Sequence, residues 1–148
     1  MMKIFIASEI DIDKISELFN LYRMFYEQPD DYQASKQFIV DNFKNKRSEI
    51  FILEDNGEFI AFVQLYTNYC PIALESYKSL SDLYVKPEYR RKGYAFTIMQ
   101  HIIDYYKAKG FQRLTLETAI DNIAGQKLYE KLGYQREVDF FTYHKLLK

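Results

Sequence analysis

The sequence predicts an α/β fold in which helices flank a mixed β-sheet. Apolar runs typical of strands alternate along the chain with segments whose apolar residues recur at helical spacing. Asn56-Gly57 separates two of these apolar runs, which predicts a hairpin and therefore antiparallel pairing. Between Leu83 and Leu116 a strand, a long helix and another strand follow one another, which predicts a parallel crossover.

In the first half, "KIFIAS" is predicted to form a short strand, and Ser8 or Asp11 can cap the helix that follows. A second helix is expected from about Tyr32 to Lys44, after the turn at "QPDD". The hairpin strands are "SEIFILED" and "EFIAFVQLY", and a loop containing Cys70-Pro71 leads to the strand "SLSDLYV". The first helix has one apolar stripe, formed by Ile15, Leu18, Phe19, Tyr22 and Phe25.

In the second half, "FTIMQHIIDYYKAKG" is predicted to form an amphipathic helix that ends near Gly110. The strand "QRLTLET" follows, and then a helix from about Asn122 to Leu132 that Gly133 stops. The final "YQREVDFFTYHKLL" is expected to form two strands or one bent strand. This order of elements predicts an antiparallel first part of the sheet and a parallel middle part.

Composition limits the function classes. The 148 residues suit one domain, and a net charge of −1 argues against a general nucleic-acid binder. Cys70 is the only cysteine and His101 and His144 are the only histidines, so we expect no metal site. No apolar run approaches the roughly 20 residues of a membrane span, and the N-terminus is too acidic for a secretory signal. We therefore expect a cytoplasmic protein that contacts neither membrane nor nucleic acid.

The segment "RRKGYA", residues 90–95, places three cations and a glycine directly before the long helix. A helix N-terminus offers unpaired N–H groups and partial positive charge, so this loop suits a phosphate. A solvated basic turn is the alternative interpretation. The sequence contains neither a P-loop nor the glycine pattern of a dinucleotide-binding fold.

The central region resembles the GNAT superfamily of acetyl-CoA-dependent N-acetyltransferases. Its core motif, Gln/Arg-x-x-Gly-x-Gly/Ala, is matched by Arg90, Gly93 and Ala95, although many members have Gly in place of Ala95. The preceding strand ends in a Val-x-Pro match, and further matches downstream are Asn122, Ala124, Leu128-Tyr129 and Gly133-Tyr134. The resemblance implies a single GNAT domain over residues 1–148, with a mixed, mostly antiparallel sheet containing a parallel, splayed strand pair. It also implies acetyl-CoA as co-substrate.

The resemblance assigns cofactor-binding residues. In the family, main-chain N–H groups hold the pyrophosphate of coenzyme A, and pantetheine lies along the strand that "DLYV" matches. Lys92 or either arginine could reach the 3′-phosphate. Asn122 would bond the pantetheine arm, or it is only the N-cap of its helix. The implied cofactor-binding residues are Leu83, Tyr84, Val85, Arg90, Arg91, Lys92, Gly93, Tyr94, Ala95, Phe96 and Asn122.

Acetyl transfer to an amine needs a base for the ammonium and gains from a proton donor for the leaving thiolate. Tyr129 is the predicted acid, with a core role as the alternative. Asp82 is the predicted base, although a strand carboxylate can instead face solvent or cap a loop. Tyr22, Tyr26 and Glu27 are the predicted substrate-binding residues, and plain helix core is the other interpretation of the two tyrosines.

These features predict direct transfer, in a ternary complex, from acetyl-CoA to the primary amine of a small molecule, either a polyamine or an amino-acid-like compound. The alternatives are acetylation of a protein or peptide amine and a non-catalytic acyl-CoA-binding module. A homodimer is also expected, because "DFFTYHKLL" would be an exposed, aromatic-rich edge strand in a monomer.

Overall fold

The computed structural model describes residues 1–148, and its mixed α/β architecture confirms the predicted fold class. Five strands form one sheet in the order β1-β2-β3-β4-β5, antiparallel from β1 to β4 and parallel between β4 and β5. The strands are β1 (Met2–Ile6), β2 (Ser48–Asp55), β3 (Glu58–Cys70), β4 (Glu75–Val85) and β5 (Leu114–Leu116). The helices are α1 (Ile12–Phe25), α2 (Tyr32–Lys44), α3 (Tyr94–Ala108) and α4 (Ile123–Lys131). No helix is long and apolar enough to cross a membrane.

The two hairpins have different turns. Asn56 and Gly57 both have positive φ, 51° and 81°, which is the backbone of the tight turn that Asn-Gly favours. This turn confirms the hairpin between β2 and β3. The next hairpin is longer than its sequence indicates, because β3 and β4 pair up to Cys70 and Glu75. The expected loop at Cys70-Pro71 is therefore only the turn over residues 71–74.

The sheet of residues 1–117 has an apolar core on each face. On one face α1 and α2 pack against the strands, and the core there contains Ile15, Leu18, Phe19, Ile39, Ile50, Ile52, Phe59, Phe62 and Tyr84. On the other face Phe51 meets the rings of Tyr105 and Tyr106 from α3. Ile98, Met99 and Ile102 of α3 are fully buried. We call these the α1/α2 face and the α3 face.

Residues 118–148 form a second compact unit that contains one helix, α4. The helix ends as predicted at Gly133, which has a φ of 96°. This conformation lets the Gly133 amide donate to the Glu130 carbonyl and the Tyr134 amide donate to the Tyr129 carbonyl. The predicted strand or strands in "YQREVDFFTYHKLL" were wrong, because the segment has no helix or strand. Strand propensity alone does not make a strand: the backbone must pair with another strand, and this unit contains none.

Candidate active site

A β-bulge in β4 decides which side chains reach the α1/α2 face. Leu80 is paired with Leu65 of β3, but the next pair along is Asp82 with Gln64, so Ser81 is the extra residue. Successive strand residues point to opposite faces, and one extra residue reverses that alternation. Asp82 therefore joins Tyr84 on the α1/α2 face, whereas Leu80 lies on the α3 face.

Asp82 is buried, with 7% of its surface exposed, and only neutral side chains bond it. Gln64 Nε2 donates to one carboxylate oxygen at 2.5 Å, and Ser81 Oγ donates to the other at 3.0 Å. Gln64 is itself held, because its carbonyl oxygen accepts from Asn42 Nδ2 at 2.9 Å and from Ser48 Oγ at 2.7 Å. This chain of hydrogen bonds fixes the position of the carboxylate without neutralising its charge.

Asp82 forms part of the wall of a pocket of about 280 Å³, most of whose other lining residues are aromatic. The predicted substrate residues Tyr22 and Tyr26 line the pocket, with ring centroids 5.1 Å apart. Glu27 is exposed and is not among the lining residues. We call this the Asp82 pocket; its lining is Phe19, Tyr22, Arg23, Tyr26, Gln28, Phe38, Tyr66, Ser81 and Asp82.

Two tyrosine hydroxyls of the Asp82 pocket keep their protons at neutral pH. Burial raises the pKa of Tyr22, and the negative charge of Asp82 raises it further. Burial also raises the pKa of Tyr66, whose hydroxyl accepts a hydrogen bond from Asn42 Nδ2 at 3.1 Å. Asp82 and Arg23 are therefore the only lining side chains that carry charge at neutral pH.

Beyond the bulge, β4 has a strand partner on one side only. Pairing with β5 covers Lys78 to Leu80 and stops there. Lys86 donates its amide to Ile60 of β3, so the alternation of the ladder turns the amides of Leu83 and Val85 away from β3. These two amides, from the predicted cofactor strand, lie on an edge of β4 that no strand of the sheet covers.

The basic loop has the backbone of an anion site. Arg91 and Gly93 have left-handed φ values of 62° and 84°. Gly93 is the N-cap residue of α3 and has no side chain that could bond the first amides of the helix. The amides of Tyr94 and Ala95 lie in the first turn of α3. No helical residue lies four positions before either of them, so no carbonyl of the helix can accept their hydrogen bonds. A Cβ on Gly93 would contact no protein atom, so φ is what favours glycine there.

The three cations of this loop have different surroundings. Arg90 Nε donates to the Val85 carbonyl at 2.8 Å, and its guanidinium lies over the Phe25 and Tyr84 rings, 5.0 and 5.3 Å from their centroids. Arg91 and Lys92 are exposed, and Lys92 Nζ lies 5.8 Å from the Tyr89 ring. Arg90 is thus held against the protein by these contacts, whereas the other two cations are exposed to solvent.

In the second unit, Asn122 has the position that its capping interpretation predicts. Its Oδ1 accepts from the Gly125 amide at 3.1 Å, and its Nδ2 donates to Thr118 Oγ1 at 3.0 Å. A Cβ on Gly125 would lie 2.4 Å from Asn122 Nδ2, so this glycine makes room for the cap. Tyr129 lies in α4, with its ring 6.1 Å from that of Tyr134. Burial and Tyr129 raise the pKa of Tyr134 to about 12.

Sequence reasoning missed the residues that hold Asp82. In the sequence, Gln64 is simply one residue of the apolar run "EFIAFVQLY", although an amide at a fully buried strand position needs a partner on the same face. Asn42 and Tyr66 belong to no motif, because their roles depend on pairing between α2, β3 and β4. No group of three or more His, Cys, Asp or Glu side chains is arranged to hold a metal ion.

Comparison with known proteins gives a consistent result. The chain is 37% identical over 137 residues to the uncharacterized N-acetyltransferase YhfO of Bacillus subtilis (strain 168). The aligned segment covers 93% of this chain and 92% of YhfO. A probable acetyltransferase of known crystal structure superposes with a TM-score of 0.92 at 27% identity, over 99% of this chain and 98% of that one. A predicted acetyltransferase of Clostridium acetobutylicum, solved with acetyl-CoA, has the same fold, with a TM-score of 0.76 at 17% identity over 97% and 96% of the two chains.

The model of the acetyltransferase (GNAT) family matches residues 12–134, a span that includes the Asp82 pocket, the basic loop and α4. With the sheet order, the uncovered edge of β4 and the relatives above, this match confirms the resemblance found in the sequence. The chain is an acyltransferase and belongs to the GNAT family of acetyltransferases.

Proposed function

We propose that the protein transfers the acetyl group of acetyl-CoA directly to the primary amine of a small molecule, either a polyamine or an amino-acid-like compound. The observation that carries this proposal is the Asp82 pocket, in which one buried carboxylate faces a small, aromatic-walled space. A pocket of about 280 Å³ lies just below the range of about 300–1,000 Å³ for ligand sites. Its size favours a compact acceptor.

The residues present fit acetyl-CoA, which supplies the activated acetyl group. Pantetheine is a chain of amides. The amides of Leu83 and Val85 on the uncovered edge of β4 could donate hydrogen bonds to it, as they would to an added strand. The backbone at Gly93, Tyr94 and Ala95 suits the pyrophosphate. Exposed Arg91 and Lys92 add attraction for the phosphates, whereas Arg90 shapes the loop.

Asp82 would receive the acceptor amine. An alkylammonium with a pKa near 10 has no lone pair, so it must lose a proton before its nitrogen can form the new N–C bond. The fixed, anionic carboxylate of Asp82 attracts the ammonium and accepts that proton, directly or through a water molecule. The neutral hydroxyls of Tyr22 and Tyr66 and the surrounding rings orient the amine without competing for the proton.

Tyr129 would supply the second proton. The C–S bond breaks as the N–C bond forms, and the sulfur gains from a proton at that moment. A phenol with an ordinary pKa of about 10 can donate one at neutral pH. Asn122, whose side chain caps α4, supports the helix that carries Tyr129.

Two other functions make different predictions. A peptide-modifying enzyme would accept an N-terminal amine followed by further residues, for which this small pocket offers little space. A non-catalytic module would bind acetyl-CoA and release no thiol.

The expected homodimer is a separate proposal, and light scattering that finds only monomer at micromolar concentration would contradict it.

A coenzyme A release assay tests the proposed function. Thiol release is measured with acetyl-CoA and a panel of monoamines, polyamines, amino acids and short peptides, with no acceptor as the control. We expect release that saturates with at least one small amine and exceeds release with any peptide. Tight binding of acetyl-CoA without release from any acceptor would contradict catalysis, and release with peptides alone would contradict the small-molecule acceptor.

A further inference from the structure

Arg23 gives the Asp82 pocket a positive charge that the protein itself does not use. It follows Tyr22 in α1, is half-buried, and lines the pocket. The ion pairs of the structure involve other residues, so Arg23 is bridged neither to Asp82 nor to any other carboxylate. A guanidinium on a pocket wall without an acidic partner is suited to an anionic group of a ligand, most directly a carboxylate.

The charges of the pocket wall are thus one anion and one cation. Asp82 lies on β4 and is held by Gln64 and Ser81, while Arg23 lies on α1. The other lining groups are aromatic rings, hydroxyls and the amide of Gln28. The wall therefore presents a separated pair of opposite charges on a largely apolar surface.

We propose that the acceptor is a zwitterion, a compact amine that carries one carboxylate on a largely apolar framework, as an apolar or aromatic amino acid does. This inference rests on the proposed function and narrows its acceptor class. The ammonium binds toward Asp82, the carboxylate toward Arg23, and the apolar part against rings such as those of Phe19 and Phe38, which stack with centroids 5.4 Å apart.

The same charges disfavour a polyamine. A second ammonium group on the acceptor finds no further carboxylate on the pocket wall, since Asp82 is the only acidic lining residue. It also meets the guanidinium of Arg23, and repulsion of this kind is a common source of specificity. Arg23 therefore selects for a carboxylate and against a second cation.

The test uses pairs of amines that differ only by a carboxylate, such as phenylalanine and phenethylamine, or leucine and isopentylamine. We expect wild-type kcat/KM to favour the amino acid by about tenfold or more, the range of a hydrogen bond to a charged group. Arg23→Gln is expected to remove this preference, because it lowers kcat/KM for the amino acid far more than for the decarboxylated amine. Arg23→Glu is expected to favour a diamine over an amino acid.

Arg113→Gln is the matched control, because Arg113 lies over the Tyr77 ring, 4.0 Å from its centroid, and does not line the pocket. It should retain the wild-type preference. The inference is overturned if wild type acetylates both members of each pair equally, if phenylalaninamide replaces phenylalanine without loss, or if Arg23→Gln keeps the preference. In each of these results the proposed function stands. If no amine releases thiol, the proposed function fails and the inference fails with it.

Discussion

Lys78 and Asp82 are two buried charged side chains on β4, and only one of them has a partner of opposite charge. Lys78 lies on the α3 face, where its Nζ is 2.8 Å from a Glu49 carboxylate oxygen and donates to Thr67 Oγ1 at 2.8 Å. The rings of Tyr106 and Phe111 lie beside it, each with its centroid 5.5 Å from Nζ. Asp82 lies on the α1/α2 face, where its hydrogen-bond partners, Gln64 and Ser81 among them, are all neutral.

The difference separates a structural charge from one available to a ligand. Glu49 compensates the charge of Lys78, so that pair serves the folded state alone. An uncompensated charge in a protein interior is expensive, and it persists where function requires it. The carboxylate of Asp82 is held in place, faces a pocket and has no cationic partner, which are the properties expected of a group that receives an ammonium.

The bulge at Ser81 produces this separation, so its removal is expected to have the largest effect. Inserting an alanine between Gln64 and Leu65 would give Ser81 a partner and remove the bulge, so that Asp82 and Leu80 would point to the same face and one of the two cores would lose its strand side chains. This insertion should lower the free energy of unfolding by more than about 3 kcal/mol, the scale of an unpaired buried charge, and abolish turnover. Urea unfolding and thiol release measure the two effects.

Ser81→Ala is the control for that insertion. It keeps the residue count and the register and removes one hydrogen bond to Asp82, so the loss of stability should be about 1 kcal/mol. An insertion variant no less stable than Ser81→Ala would show that the bulge does not determine the face of Asp82.

Asp82→Asn should have the next largest effect. The substitution keeps the size of the side chain and removes the group proposed to accept the proton, so turnover should fall by about 10²–10⁴-fold. The fall should be greatest at lower pH, where the amine is hardest to deprotonate. An unaltered pH profile of kcat/KM would contradict the role of Asp82 as base.

Lys78→Met is the counterpart of that substitution on the other face. It leaves Glu49 without its cation and should lower the free energy of unfolding, while turnover per folded molecule stays near the wild-type value. If Lys78→Met lowered turnover as much as Asp82→Asn, the distinction between the two charges would not hold.

Tyr129→Phe tests the second unit of the chain. Removing one hydroxyl keeps the ring and its contact with Tyr134, so packing should change little. If Tyr129 is the acid, turnover should fall by about 10²-fold, near the low end for an acid or base, because a thiolate is a tolerable leaving group. Near-normal turnover with a loss of about 1 kcal/mol of stability would instead indicate a structural hydroxyl.

The features that could be predicted from the sequence are those that short segments determine. The Asn56-Gly57 turn, the stop at Gly133 and the cap at Asn122 each depend on the conformation or hydrogen bonds of a few neighbouring residues. The motif around Gly93 likewise indicated the family, because the backbone conformation that a phosphate site needs limits the residue types allowed there.

Features that depend on the exact register between distant segments could not be predicted. Nothing in "KSLSDLYV" marks Ser81 as a bulge, since a regular strand would fit the same letters with Lys78 and Asp82 on one face. The hydrogen bond from Gln64 to Asp82 exists only in the observed register. The predicted C-terminal strand failed for the same reason: apolar alternation indicates propensity and does not supply a partner strand.

Glu49→Gln should have the smallest effect, and its effect on the free energy of unfolding should depend on pH. Burial alone would raise the pKa of Glu49, but hydrogen bonds from Lys78 and Tyr106, with the charge of Lys78, outweigh it and hold the pKa below its usual value. A carboxylate whose pKa is lower in the folded state stabilises the protein fully above its unfolded pKa, and this contribution is lost as pH falls through the folded value.

At pH 7 the variant should therefore be less stable than wild type by about 1 kcal/mol, a modest value because Glu49 is partly exposed and solvent weakens the pair. The difference should shrink below about pH 4.3, the ordinary pKa of a glutamate, because the wild-type side chain then becomes neutral as well. Urea unfolding of both proteins from pH 7 to pH 3 measures this convergence. A difference that stays constant over the range would mean that Glu49 stabilises the fold by packing, and that the charge of Lys78 is tolerated without it.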